Sequence, residues 1–177
     1  MKSLLDYFYA LKSELKKEIN KKGVQTSIVD FAANIESWKD IHDIAVLVDF
    51  PSLEMSKNHD SAGRNNENVN VILHCILSNR IENHELKVIA LSSFIKRLIV
   101  RKKWGLSNAN NPENIRAYPS DFKRGENGFI CWSVEFDQTI KMDETLEQEQ
   151  AFLISDVFFG INPKDCDDYK LIGTINE

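Results

Sequence analysis

His74 stands beside Cys75 in the run VNVILHCIL, and a histidine next to a thiol is the first pairing in this chain that could activate a nucleophile. Neighbours on a strand point to opposite faces, so the imidazole cannot take the thiol's proton there. His42, His59 and His84 lie in polar surroundings with no spacing that sets two of them on one side of an element as metal ligands, and they are expected at the surface. Asp165, Asp167 and Asp168 cluster in NPKDCDDYK as acids around a hard cation do. The alternating acids, central Gly and closing Glu of an EF-hand loop are missing, which leaves a solvated turn. Cys75, Cys131 and Cys166 are odd in number and far apart, with no CxxC or CxxH spacing, and are expected to be buried reduced thiols. GxSxG, HExxH and GxxxxGK[ST] are all lacking, so no catalytic residue, metal or cofactor is expected and the chain is not read as an enzyme.

Charge offers a different kind of chemistry. The chain has 177 residues with 27 acids against 22 bases, a formal charge of -5, which excludes a generally basic nucleic-acid binder. A local basic face is still possible. Arg97 and Arg101 stand one helical turn apart, and Lys102 and Lys103 extend the patch. Asp143, Glu144, Glu147 and Glu149 form a compact acidic counterpart elsewhere. Opposite patches on one molecule suit a head-to-tail contact between copies, and such contacts close into rings when the rotation permits.

The elements that must carry these residues follow from periodicity. Leu4, Phe8, Leu11, Leu15 and Ile19 fall on one stripe, Ser3 and Asp6 have the spacing of a short capping box, and Gly23 supplies a stop. A helix over 3–22 is predicted, with Asp6 and Lys12 interrupting any secretory signal core. Short β-prone runs follow at 24–31 and 44–51, the second ended by Pro51. In VNVILHCIL, Val69, Val71, Leu73, Cys75 and Leu77 share a wholly apolar face, and Asn70, Ile72, His74 and Ile76 share a mixed one. This is the pattern of a central strand partly covered on its second side. Leu91, Phe94, Ile95 and Leu98 mark a second helix over 84–103.

Two stretches have no usable period, 54–68 and 105–128, and are expected as long loops; loops of that length are more often functional than neutral. Ile130, Trp132, Val134, Phe136 and Ile140 then alternate with polar partners in the clearest strand, MDETLEQEQA at 142–151 is expected as a turn or short exposed helix, and weaker apolar runs follow at 151–159 and 169–175. Together these predict one α+β domain over 1–177: a single layer of mostly antiparallel sheet with an N-terminal and a central helix packed on one face. No apolar run is long enough for a membrane span.

The order of these features resembles the tail terminator, or tail-completion, proteins of long-tailed bacteriophages. An N-terminal helix leads into a strand of PAVLVDF character, matched by Ala45, Val46, Leu47, Val48, Asp49 and Phe50. A second strand is matched by Val71, Ile72, Leu73, His74 and Ile76, and a late strand by Trp132, Val134, Glu135 and Phe136, leading to Thr139 and Asp143. The match runs in order from about residue 3 to 145 and leaves the chain beyond 150 without a counterpart. The resemblance implies a non-catalytic virion protein, assembled in the bacterial host cytoplasm, that forms a ring, commonly a hexamer, on the end of the tail tube. It implies as partners other copies of itself, the tail tube protein and the head-tail connector, with no membrane and nucleic acid at most passing through the ring. On this basis Arg116 and Lys123, in the 105–128 stretch, are expected to contact a neighbour.

The alternative from a different class is an immunity or antitoxin protein whose acids mimic the phosphates gripped by a nuclease toxin. A ring of copies against an equal-ratio complex with one partner separates the two. An apolar pocket with polar groups converging near Arg116 would point instead to a small enzyme.

Overall fold

A computed structural model describes residues 4–23, 28–32, 41, 43–55, 64–120, 128–145, 156–159 and 170–174; for 28, 64, 65 and the strand residues from 142 onward it describes the backbone alone. The first helix, α1 (Leu4–Lys21), buries Tyr7, Phe8, Leu11, Leu15 and Ile19, the stripe that its sequence spacing sets on one face. It ends in a tight turn, in which Lys22 N–H donates to Ile19 O (3.1 Å) and Gly23 N–H to Asn20 O (3.0 Å), with Gly23 at φ 70°. Ser3 lies outside the described residues.

Five strands form one sheet in the order β1 (Ile28–Phe31), β2 (Ile44–Met55), β3 (Arg64–Ser78), β5 (Phe129–Thr145) and β4 (Glu113–Pro119). β1 and β2 run parallel and the other pairs antiparallel, so the α+β class with a mostly antiparallel sheet holds. β3 lies at the centre. Its Val69, Val71, Leu73, Cys75 and Leu77 are buried with Val46, Val48, Val134, Phe136 and Ile140 beneath α1 and the second helix, α2 (His84–Ile99). On the opposite face the described residues form a smaller apolar cluster at one end, Ile41, Ala45, Leu47, Ile76 and Cys131. This is the half-covered central strand that the alternation in VNVILHCIL predicts.

Three expectations are corrected. Pro51 does not end β2: the register slips between Asp49 and Ser52, and proline is tolerated at a bulge, where its missing N–H breaks no ladder bond. The stretch 54–68, expected as a loop, carries strand on both sides, since β2 runs to Met55 and β3 begins at Arg64. The stretch 105–128 carries β4, an edge strand with its own register shift between Glu113 and Arg116. That shift, together with Asn114 in the left-handed region (φ 52°), breaks the period of two that would have marked it.

α2 stops at Ile99, short of the expected 103. Val100 is extended, and Arg101 (φ 63°), Trp104 (φ 55°) and Gly105 (φ 75°) turn the chain sharply back to the sheet. Across the sheet, Gly128 (φ 77°) opens β5 against Asn79, whose side-chain oxygen lies 2.8 Å from where a Cβ would stand. By its contacts the chain divides into two units, 1–145 and 146–177, where the sequence suggests one domain. In the second unit β6 (Asp156–Phe159) pairs antiparallel with β7 (Lys170–Thr174), within the two weak apolar runs read at 151–159 and 169–175. Over 142–151, β5 extends to Thr145 in place of the expected turn or helix.

Candidate functional site

On the open face of the sheet, beyond the smaller apolar cluster, the polar positions of β3, β4 and β5 meet. Glu135 and Asp137 are two residues apart on β5 and share that face. Arg116, facing Glu135 across the β4–β5 pair, donates Nη2–H to Glu135 Oε1 (2.7 Å) and Nε–H to Oε2 (3.1 Å), a forked contact. Tyr118 O–H donates to Glu135 Oε2 at 2.6 Å. Asn70 of β3 spans both acids, donating to Glu135 Oε1 (3.2 Å) and Asp137 Oδ1 (2.8 Å), and Asn114 donates to Asp137 Oδ2 (2.8 Å). Asn70, Asn114, Arg116, Glu135 and Asp137 line a hollow of about 400 Å³.

The electrostatics follow from the bonds. The Arg116 guanidinium holds the Glu135 carboxyl below the usual carboxylate range, against a smaller opposing effect of burial. Burial, reinforced by the bond to Glu135, pushes the Tyr118 hydroxyl up to about 12. Glu135 has both oxygens occupied and a side-chain exposure of 13%, so it anchors β4 onto β5. The lining is polar throughout, unlike the apolar pocket that an enzyme in this region was expected to show.

A second row crosses the same face. His74 Nδ1 shares a 3.0 Å hydrogen bond with Ser133 Oγ, and its Nε2 lies 3.9 Å from Asp49 Oδ2. Serine, histidine and aspartate in line invite comparison with a hydrolytic triad. In that constellation the nucleophile must reach a substrate carbonyl, and Ser133 is buried to 1% exposure. Burial also holds the His74 imidazole below its ordinary value, with Asp49 opposing, which favours a neutral ring in a packed position. His74 and Cys75 face opposite sides, as their adjacency requires: Cys75 sits in the helix-side core.

The basic residues separate. Arg97 is exposed in the last turn of α2, whereas Arg101 and Lys103 are exposed in the turn beyond it. Because the helix ends between them, Arg97 and Arg101 are not stacked one turn apart. Lys102 turns inward and approaches Glu14 (3.8 Å) and Glu18 (3.6 Å) of α1. Arg116 belongs to a strand, not a loop, and its charge is engaged by Glu135. Lys123, Glu147 and Glu149 lie outside the described residues, as do His42, His59, Cys166 and the Asp165–Asp167–Asp168 cluster. Asp143 and Glu144 continue β5, with only their backbone described. His84, expected at the surface, is half-buried at the start of α2, with Nδ1 3.2 Å from Ile81 O. Among the described residues no group of three or more His, Cys, Asp or Glu side chains could hold a metal ion.

One polar residue escaped the sequence pattern. Gln138 sits on the helix side of β5, 1% exposed, between Phe136 and Ile140. Its Oε1 accepts from Tyr7 O–H (2.5 Å) and Trp104 Nε1–H (2.7 Å), and its Nε2–H groups donate to Lys102 O (3.1 Å) and Asn110 O (2.6 Å). That amide ties α1, the turn after α2 and the entry to β4 to one strand. Its only sequence signal was a polar residue on an apolar stripe.

No protein-family model matches the chain, and neither does any curated protein sequence.

Proposed function

We propose that this chain is a structural, non-catalytic subunit of a phage or phage-derived tail, a terminator that joins copies of itself into a ring on the tube end and presents that ring to the head-tail connector. The observation that carries the proposal is the free end of β2. β1 accompanies β2 only as far as the Phe31–Val48 pair, and among the described residues Ser52–Met55 pair with β3 alone. Among the described residues the other backbone edge of that segment is unpaired, and it carries exposed apolar side chains, Leu53 at 51% and Met55 at 66%. Open strand edges and clustered exposed apolar groups are how subunits recruit neighbours, and proteins that stay single normally blunt them.

The resemblance adds to this support. Its three strand segments fall on β2, β3 and β5, which are hydrogen-bonded neighbours in one sheet. Light scattering over a range of concentrations tests the proposal: a mass of several copies is expected. A mass of one copy at every concentration, with equal-ratio capture of a nuclease, would instead establish the immunity protein.

A further inference from the structure

The free end of β2 has a counterpart at the other end of the same strand. Ile44 pairs with Leu77 at the start of β2, and there α1 ends while α2 begins. The two helices leave a groove of about 420 Å³ floored by Ile44, Leu77, Ala90 and Phe94. Its lining is apolar except at the rim, where Lys22 and Lys87 stand. Both lysines are exposed, and neither makes an ion pair among the described residues. Close by, α2 exposes Leu86 at 70%.

The far end of β2 is complementary in character, exposed apolar side chains with an acid beside them. Leu53 lies opposite Val69 and Met55 opposite Glu67, so both apolar side chains rise from the helix side of the sheet, past the aromatic contacts that Phe50 makes with Tyr7 and Phe8. Glu67, half-buried, stands on the same face directly across from Met55, whereas Glu54 pairs with Asn68 on the opposite face; the Glu67 carboxylate makes no ion pair among the described residues. From Ile44 to Met55 the strand spans roughly 35 Å at its usual rise. The ridge and the groove of one copy are therefore too far apart to meet each other.

We infer that the ridge of one copy, Leu53 and Met55 with Glu67 beside them, seats in the groove of the next, with its acid against Lys22 and Lys87. The inference rests on the self-assembling function proposed above and names the surfaces it uses. Two different complementary patches at opposite ends of a subunit make a heterologous contact, the kind that propagates and closes into a ring. Burial of the two apolar side chains supplies affinity; Glu67 and the two lysines supply orientation and rate, since pairs of this kind near the surface add little net energy.

The test uses two single-ended variants of the full chain. Leu53→Asp with Met55→Asp spoils the ridge and leaves the groove intact; Ala90→Trp fills the groove and leaves the ridge intact. All three substituted positions are exposed, and circular dichroism with thermal melting checks each fold. Met55→Asp alone serves as a milder second ridge variant. By sedimentation velocity, each variant alone is expected to be monomeric, with self-affinity weakened at least about tenfold. A mixture of the two is expected to give an equal-ratio dimer and nothing larger, because only one working contact remains. If wild type assembles and the folded variants assemble equally well, the ridge-and-groove contact is overturned and ring formation stands. Loss of assembly in both variants with no dimer on mixing overturns it as well. A wild type that is monomeric throughout overturns both the contact and the ring.

Discussion

Trp104 donates its indole N–H to the buried Gln138 side chain at 2.7 Å, and through that bond a turn held at positive φ is fastened to the middle of the sheet. The same oxygen accepts the Tyr7 hydroxyl, and the amide nitrogen donates to two backbone carbonyls. Both acceptor sites and both donors of the amide are used, so the polar group carries no unmet hydrogen bond. Burial pushes the Tyr7 hydroxyl far above its ordinary value, and it stays a donor at any physiological pH.

Gln138→Leu should therefore be among the most damaging single changes in the first unit. It keeps the volume but strands a hydroxyl and an indole N–H in the core, at about 1–3 kcal/mol for each buried group left unpaired, and takes the donor from two part-buried carbonyls. A loss of at least about 3 kcal/mol in urea unfolding is expected. Trp104→Phe removes one donor and leaves Gln138 Oε1 with Tyr7, so a loss of about 1–2 kcal/mol is expected, mostly from the smaller ring and one missing bond. If the two variants lose equal stability, the hub is not centred on Gln138.

Glu135 should make part of the stability dependent on pH. Its carboxyl titrates below its ordinary 4.5 in the fold, chiefly because of Arg116. The unfolded chain takes up the proton first as pH falls, so the contribution is fully present above 4.5 and is lost as pH drops through the lower folded value. The stability gap between wild type and Glu135→Gln should be widest near neutrality and close below 4.5. A gap that is constant across this range contradicts the assignment.

Cys75 and Cys131 should be inert in the native protein. Burial pushes both thiols up to about 12, so almost no thiolate exists near neutrality, and the groups are covered. Alkylation followed by peptide mapping should mark them only after denaturant is added. Rapid labelling of either at neutral pH in the folded chain would refute their placement.

Gly128 should resist even the smallest substitution. At φ 77° an L side chain is strained, and an alanine Cβ would fall 2.8 Å from the Asn79 side-chain oxygen. Gly128→Ala is expected to cost about 1 kcal/mol or more, read as a lowered thermal midpoint. Gly105→Ala meets no such neighbour and should cost only its backbone strain.

Local periodicity carried most of the first unit. The stripe of α1 and the two faces of β3 are consequences of spacing alone, and they appear as read because each element packs on a single apolar side. What sequence did not reveal depends on partners far along the chain. Gln138 looks like a flaw in an apolar stripe until Tyr7, 131 residues away, and Trp104 supply its bonds. β4 has no clean alternation because an edge strand is half-exposed, and its bulge shifts Arg116 onto the same face as Glu135. The pairing of Arg97 with Arg101 failed for a local reason: positive φ at Arg101 ends the helical path that their spacing assumed. The ridge and groove were hidden for another. Met55 falls in a stretch without period and Leu53 just before it, and their exposure becomes visible only once β1 is seen to stop at Phe31.

Negative-stain imaging of the purified full chain at concentrations where light scattering reports association is the most direct measurement of the central claim. Closed rings of uniform size, lost in the Leu53→Asp, Met55→Asp variant, are the predicted result. Single compact particles at every concentration, or symmetric pairs that never close, would contradict it.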